Sequence, residues 1–240
     1  MLNLILKRAG VISGPRRKHT SHSSLEVIKK DLLGLPQFKG NEKFLHFGSA
    51  LHEVFLEGDY TNAYKKLGKE DRKLIDAMVK KLNSNAIVVS LMRDSIREHR
   101  FHVFLNKVKT VVILDAKQPK LLRGFDLKTT NATSQKDFEE KVKSFGYVRQ
   151  GLTYKLAAKL KQFYFVGITK TAPHNIYIVD IGAPQFKTDY KYAEAELKFL
   201  LYFYKNYGKT IIVRRSPDET NSNNLQFVRK VSARSCRKKT

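Results

Sequence analysis

The alternation of apolar and polar positions divides the chain into a helical first part and a mixed remainder. Ser23-Ser24-Leu25-Glu26 sets a serine cap ahead of an apolar-periodic run, which predicts a helix reaching about Leu33. Phe47, Ala50, Leu51, Val54 and Phe55 recur at helical spacing and predict a second helix over about 46–57. A third covers Asp71–Leu82, with Leu74, Ile75, Met78, Val79 and Leu82 on one stripe. From Ile96 the texture becomes extended: Phe101, Val103 and Leu105 alternate, then Val108–Leu114 and Leu121–Leu127 follow. Gln118-Pro119-Lys120 supplies the turn between those last two. Helices over Ser134–Val142 and Tyr147–Leu160, strands over Phe163–Thr169 and Ile176–Ile181, and a long helix Lys187–Tyr207 complete the chain. The aromatic residues of that last helix sit at the spacing of core packing with tyrosines on its rim, rather than of a base-stacking platform. No internal repeat is present. The order is that of an α/β fold with a mixed central sheet flanked by helices.

Length and composition narrow the classes. The 240 residues fit one sizeable domain, and an apolar fraction of 42% is ordinary for a globular protein. The single cysteine, Cys236, excludes an internal disulfide framework, a four-cysteine zinc site and an iron–sulfur cluster. No apolar run approaches the roughly 18 residues that cross a bilayer, so no membrane role is expected.

Charge points to the partner. There are 46 Lys and Arg against 22 Asp and Glu, a net charge of +24, which favours nucleic acid over a membrane surface. Half of the excess lies in the tails: residues 1–25 carry +5 and residues 208–240 carry +7. The expected organisation is a basic N-terminal arm (1–20), one domain (21–213) and a basic, flexible C-terminal tail (214–240). The arm is also compatible with an organelle presequence, which would place the protein in mitochondria. A cytoplasmic location in a bacterial or phage-infected cell is the preferred expectation.

The segment Gly124-Phe125-Asp126-Leu127-Lys128-Thr129-Thr130 carries the most chemistry. Alternate side chains of a strand point the same way, so Asp126 and Lys128 share a face and Leu127 turns to the other. Asp115, at the end of the preceding strand, is brought beside Asp126 by a hairpin. Two such carboxylates repel unless a divalent cation lies between them. A lysine two positions on can orient the attacking water or help deprotonate it, which together is an apparatus for metal-assisted phosphodiester hydrolysis. The plain alternative is an exposed strand face with a routine ion pair. His52 on a core-forming helix, Glu98 at the start of a strand, and Gln150 and Tyr154 on one helical face each have an ordinary structural reading too.

Taken in order, His52, Glu98, Asp115, Asp126–Lys128 and Gln150-x-x-x-Tyr154 resemble the RecB-type branch of the PD-(D/E)XK nuclease superfamily. Within it the chain is most similar to RecE-like (exonuclease VIII-like) nucleases, and mitochondrial genome-maintenance exonucleases share the branch. Asp126-Leu127-Lys128-Thr129-Thr130 and Tyr147-x-x-Gln150-x-x-x-Tyr154 are the most specific pieces. His22-Ser23-Ser24-Leu25 also resembles the Ser-rich cap that precedes the first helix in RecE-like nucleases, and the likeness spans about residues 20–207.

The resemblance implies that His52, Glu98, Asp115, Asp126 and the backbone carbonyl of Leu127 form a site for Mg²⁺ or Mn²⁺, hard cations suited to oxygen ligands. A pair of ions about 4 Å apart is one arrangement such a site takes. Asp115, Asp126 and Lys128 would be catalytic, with Lys128 positioning the water and stabilising charge on the phosphate. Gln150 and Tyr154 would hold the DNA strand, and Thr129 and Thr130 could donate hydroxyls to a backbone phosphate. Two departures stand out: Asp126 replaces the commoner Glu, and the Asp115–Asp126 interval is compact.

The function expected on this basis is a metal-dependent DNA exonuclease acting on linear duplex ends, in recombination, repair or phage DNA processing. Single-stranded product, a single-strand annealing protein and a homo-oligomer are the implied partners. A structure-selective endonuclease and a non-catalytic DNA-binding protein of the same fold are the alternatives. The complete set of acids with Lys128 weighs against the second of these.

Overall fold

The computed structural model of the protein describes residues 11–13, 19–36, 42–207 and 211–213. Apart from residues 11–13, 19 and 20, the expected basic arm and basic tail lie outside the described residues. In chain order the first elements are β1 (Val11–Ser13), α1 (His22–Leu33), α2 (Glu42–His52), α3 (Lys69–Ser84) and α4 (Ala86–Met92). Strands β2 (Ile96–Leu105), β3 (Val108–Gln118) and β4 (Arg123–Thr130) follow, then α5 (Gln135–Ser144) and α6 (Tyr147–Ala158). The chain continues through β5 (Gln162–Thr169), β6 (Ile176–Asp180), α7 (Lys187–Tyr207) and β7 (Ile211–Val213).

The described residues divide between two compact units. The first is drawn from Lys39–Phe101 and Ile113–Tyr190. Its frame is a five-stranded sheet in the order β2-β3-β4-β5-β6, to which β2 and β3 each lend only part of their length. β3 pairs antiparallel with β4, β4 parallel with β5, and β5 antiparallel with β6, so the sheet is mixed as expected. The parallel pair requires a crossover, and α5 and α6 provide it. Residues alternate strictly across β4 and β5. Phe125, Leu127, Val166 and Ile168 join Phe47, Leu51, Ile75 and Met78 of α2 and α3 in one apolar cluster. Phe163 and Phe165 turn the other way, towards Gly151 of α6.

The second unit is drawn from Met1–Phe38, His102–Val112 and Lys191–Thr240. Here β2 and β3 are joined by Asn106-Lys107, both left-handed, the backbone a tight two-residue turn requires. Thr20 bonds through its backbone to Lys109 and Val111, and Tyr204 donates its hydroxyl to the carbonyl of His19 at 2.8 Å. Lys29 of α1 meets Glu196 of α7 at 2.8 Å. In α7, Phe203 and Tyr204 are buried and Tyr192 is exposed, the core-plus-rim pattern that its spacing predicts. β1 pairs antiparallel with β7.

Several boundaries differ from the sequence reading, each for a local reason. The cap of α1 is Ser21, whose hydroxyl accepts from the Ser24 N–H, so the helix starts ahead of the Ser23-Ser24 pair. The second helix does not run unbroken to 57. It ends at His52 and gives way to one wide π-type turn, Glu53–Glu57, before Gly58. α4 was not predicted, because seven residues show too little periodicity; Asn85 caps it by accepting from Ile87 and Val88. Asp115 lies inside β3, not at its end.

At Gly167 the crossover helix presses against the sheet. A Cβ there would come within 2.5 Å of the Phe138 ring of α5. Gly167→Ala is expected to destabilise the protein by about 1–3 kcal/mol through overpacking, read as a lower urea midpoint with an unchanged slope.

Candidate active site

Strand β4 carries the site because its alternation splits two jobs between its two faces. Phe125 and Leu127 lock it into the apolar cluster with α2 and α3, leaving Asp126 and Lys128 on the opposite face. The β3–β4 ladder runs through Gln118↔Arg123, Lys117↔Gly124 and Ala116↔Phe125. Two residues further along β4 the backbone groups of Leu127 turn to side chains instead. Its N–H donates to Asp115 Oδ2 at 2.6 Å, and its carbonyl meets His52 Nε2 at 2.9 Å.

His52 is delivered by α2, whose Phe47, Ala50 and Leu51 are buried and fix the helix against the sheet. In the turn that follows, Glu53 accepts the N–H of Ala63 at 2.7 Å, which pins the chain just beyond the histidine. A carbonyl only accepts, so the contact with Leu127 puts a proton on Nε2. Nδ1 then faces two carboxylates, Asp115 Oδ2 at 3.6 Å and Glu98 Oε1 at 4.0 Å. Glu98 reaches that point through an unusual backbone. Its φ is +47°, the left-handed region, and burial along β2 slips out of phase between residues 98 and 99. Such a residue costs about 1–3 kcal/mol and re-aims a side chain.

His52, Glu98 and Asp115 therefore present one nitrogen and two carboxylate oxygens that all lie within 4.8 Å of one another. Burial and the neighbouring Asp115 charge push the Glu98 carboxyl up to about 7. Asp115 is raised well above the ordinary carboxylate range, first by burial and then by the charge of Asp126. A neutral imidazole lone pair and two carboxylates at this spacing are all acceptors. They need a proton or a cation among them. One nitrogen and hard oxygens form a donor set that fits a divalent ion, and Leu127 O keeps a second lone pair beside it.

Asp126, only 3% exposed, stands next to that trio without being part of it. Its Oδ1 accepts from Gln150 Nε2 at 3.1 Å, and Gln150 also donates to the Tyr154 hydroxyl at 2.9 Å. Its Oδ2 lies 2.6 Å from Lys128 Nζ, an ion pair by distance. The ammonium is off the line that a hydrogen bond needs, so Oδ2 is buried without a well-directed donor. Burial alone would lower the Lys128 pKa, but the Asp126 charge outweighs it and the net shift is upward. Of the two roles open to Lys128, orienting and stabilising fit a lysine that keeps its proton; deprotonating a water does not.

Thr129 and Thr130 line an adjoining cavity with Lys128 rather than meeting the trio. Two contributors were given no role by the sequence reading. Tyr147 places its ring 4.9 Å from Lys128 Nζ and stacks on Phe165 at 5.3 Å; its position three residues before Gln150, on the same face of α6, was the available signal. Gln118 is buried and donates to the carbonyls of Ser90 and Arg93, which ties α4 to the end of β3. Nothing in the sequence marks that second role.

Against known families, the model of the PDDEXK-like domain of unknown function (DUF3799) matches residues 36–207. The chain belongs to this family. Among solved structures, this PDDEXK-like chain is similar to a "putative exonuclease" from Eubacterium rectale, at 16% identity and a TM-score of 0.62, over 87% of this chain and 92% of that one. It is also similar to a phage-related exonuclease from Haemophilus somnus 129PT, at 15% identity and a TM-score of 0.45, over 80% and 93% of the two chains. No curated protein matches it. The PD-(D/E)XK-like fold expected from the sequence is the fold that the chain has.

The raised carboxyls give the trio a definite pH signature. Between 4.5 and about 7, Glu98 holds a proton in the folded state that the unfolded chain has released, so stability falls as pH rises through that window. In EDTA the melting temperature should drop across it. Glu98→Gln should flatten the drop, and Mn²⁺ should raise the melting temperature more at the upper end than at the lower.

Proposed function

We propose that this chain is a divalent-metal-dependent deoxyribonuclease of the RecE-like kind, which hydrolyses phosphodiester bonds from linear duplex ends. The observation that carries the reading is the convergence of His52, Glu98 and Asp115 within 4.8 Å, directly beside the Asp126–Lys128 ion pair. An acid cluster set in a chain of net charge +24 is what a nuclease needs: cations elsewhere for the phosphate backbone, carboxylates only where the bond is cut.

His52 through Nδ1, Glu98, Asp115, Asp126 and the Leu127 carbonyl would hold Mg²⁺ or Mn²⁺. Such an ion would supply Lewis acidity toward the scissile phosphate and an attacking water. Lys128, kept cationic by Asp126, places an ammonium where negative charge gathers on the phosphate in the transition state. Asp126 in turn is held by Gln150, so that lysine and carboxylate keep their mutual aim. Tyr154 anchors Gln150 from the next turn of α6 and, with it, lines the path of the strand. Thr129 and Thr130 stand beyond Lys128, within reach of the adjoining phosphate.

The exonuclease mode is supported by the similarity to the Eubacterium rectale protein described as a putative exonuclease and by the motif likeness to RecE-like enzymes. With that mode go end processing in recombination, repair or phage DNA metabolism, a single-stranded product passed to an annealing protein, assembly into a homo-oligomer, and a cytoplasmic location. No described helix is long and apolar enough to cross a membrane.

With end-labelled linear duplex in Mg²⁺, Asp126→Ala is expected to abolish hydrolysis, and Lys128→Ala to slow it by about a hundredfold or more. Both should still bind the duplex in EDTA. Unimpaired cutting by the two variants would overturn the site. A ladder growing from a single terminus, with covalently closed circles left intact, is the pattern expected of an exonuclease; cutting of the circles would make the protein an endonuclease.

A further inference from the structure

A cavity of about 290 Å³ opens beside Lys128, with none of the acid trio in its lining. Its walls include Lys128, Lys141 and Lys170, together with the rings of Phe44 and Phe145. Two of the three lysines are already neutralised, Lys128 by Asp126 and Lys141 by Asp137 at 2.5 Å. Lys170 differs. Among the described residues no carboxylate comes within pairing distance of it. Its ammonium instead sits over the Phe47 ring at 3.8 Å and the Phe44 ring at 4.9 Å. Burial also presses its pKa down, against the smaller upward pull of the Asp71 charge. The second anomaly is apolar: Phe44 is 64% exposed and Phe145 60% exposed, two large rings left in water at one cavity. Phe145 is backed by Tyr147, centroid to centroid 5.8 Å, and so has a firm support behind its open face.

An unpaired cation and an open ring across one small cavity are complementary to the two halves of a nucleotide. Phosphate satisfies the first and a base the second. The volume sits at the lower end of the roughly 300–1,000 Å³ typical of small-ligand pockets, room for one nucleotide and not for a base pair. We propose that this cavity holds the unpaired nucleotide next to the scissile phosphate, its phosphate on Lys170 and its base stacked on Phe145. A duplex end must then open by at least one pair before it is cut, and this makes the cavity a determinant of substrate choice. Phe145 and Lys170 are positioning residues: they fix the strand that Lys128 and the acids act on. The inference rests on the nuclease reading for the role of the bound nucleotide.

The test uses the full chain in EDTA, where binding is read without cleavage. Two duplexes are compared, each with one unpaired 2-aminopurine, at the 5′ end in one and at the 3′ end in the other. Stacking should quench the fluorescence of at least one probe on binding. Phe145→Ala should remove that quenching and weaken binding of the same probe about fivefold or more. Lys170→Gln should lower the salt slope of its affinity by about one. Both variants should keep the wild-type circular dichroism, since Phe145 is exposed and Lys170 is at the cavity wall. Unchanged quenching and salt slope in the two variants, or no quenching of either probe by the wild type, would overturn the proposal even if the wild type cuts DNA in Mg²⁺. The expected signals from a protein that cuts no DNA in Mg²⁺ or Mn²⁺ would support the nucleotide site and overturn the nuclease reading instead.

Discussion

Leu127 gives both of its backbone hydrogen-bonding groups to side chains, the N–H to Asp115 and the carbonyl to His52. In an uninterrupted antiparallel ladder those groups would go to the neighbouring strand. The β3–β4 pairing stops two residues earlier on β4, at Ala116↔Phe125, and buried backbone groups cannot be left unpaired without cost. The site side chains are therefore part of what completes the sheet. Asp115 and His52 are fixed by the same peptide units that fix Asp126 and Lys128 on either side of Leu127. One residue, whose own side chain lies in the apolar core, sets the spacing of the whole constellation.

That arrangement concentrates electrostatic cost. Two buried carboxylates and a half-buried one share a small volume, and both Glu98 and Asp115 respond by holding protons more tightly than exposed acids do. Lys128 pairs directly with Asp126, and its charge only partly offsets the rise at Asp115. The strain at Glu98 adds to the cost, since a left-handed residue within a strand persists only where its surroundings over-determine it. Nothing in packing calls for these features; they are explained if the favoured state of the site includes a cation. Within a protein of net charge +24, such an acid cluster stands against the general field and is the more specific for it.

The strands, the long helices and their order were legible in the sequence, because Phe101–Leu105, the Val108 run and the last helix repeat their periods over enough residues to register. What failed was short or relational. The wide turn after His52 keeps helical spacing in its apolar residues, so Val54 and Phe55 read as a continuation of α2. α4 is too short to show a period. In the site, Asp126 and Lys128 were readable together because alternation along one strand fixes them. The convergence of His52 and Glu98 depends on a helix end and a backbone irregularity that no local pattern encodes. The bonds from Leu127 to His52 and Asp115 were not legible either; family likeness reached only its carbonyl, as a metal-site group. Tyr147 lay within the quoted motif, yet its contact with Lys128 arises from the stacking of α6 on β5.

The division of labour across the sheet follows from these constraints. His52 arrives from the helical layer on one face, and Gln150 from the layer on the other; they meet around a single strand. A site built from one layer could shift as that layer shifts. Here a displacement of α2 relative to α6 would have to move past β4, which is held by the Leu127 cluster and paired along its length with β5, whose Phe163 and Phe165 pack on α6. Tight packing at Gly167 and Gly151 leaves no slack for that movement. The close-packed sheet thus supplies the rigidity that keeps a cluster of mutually repelling acids in register, and rigidity of this kind lets a site bind an ion without first reorganising.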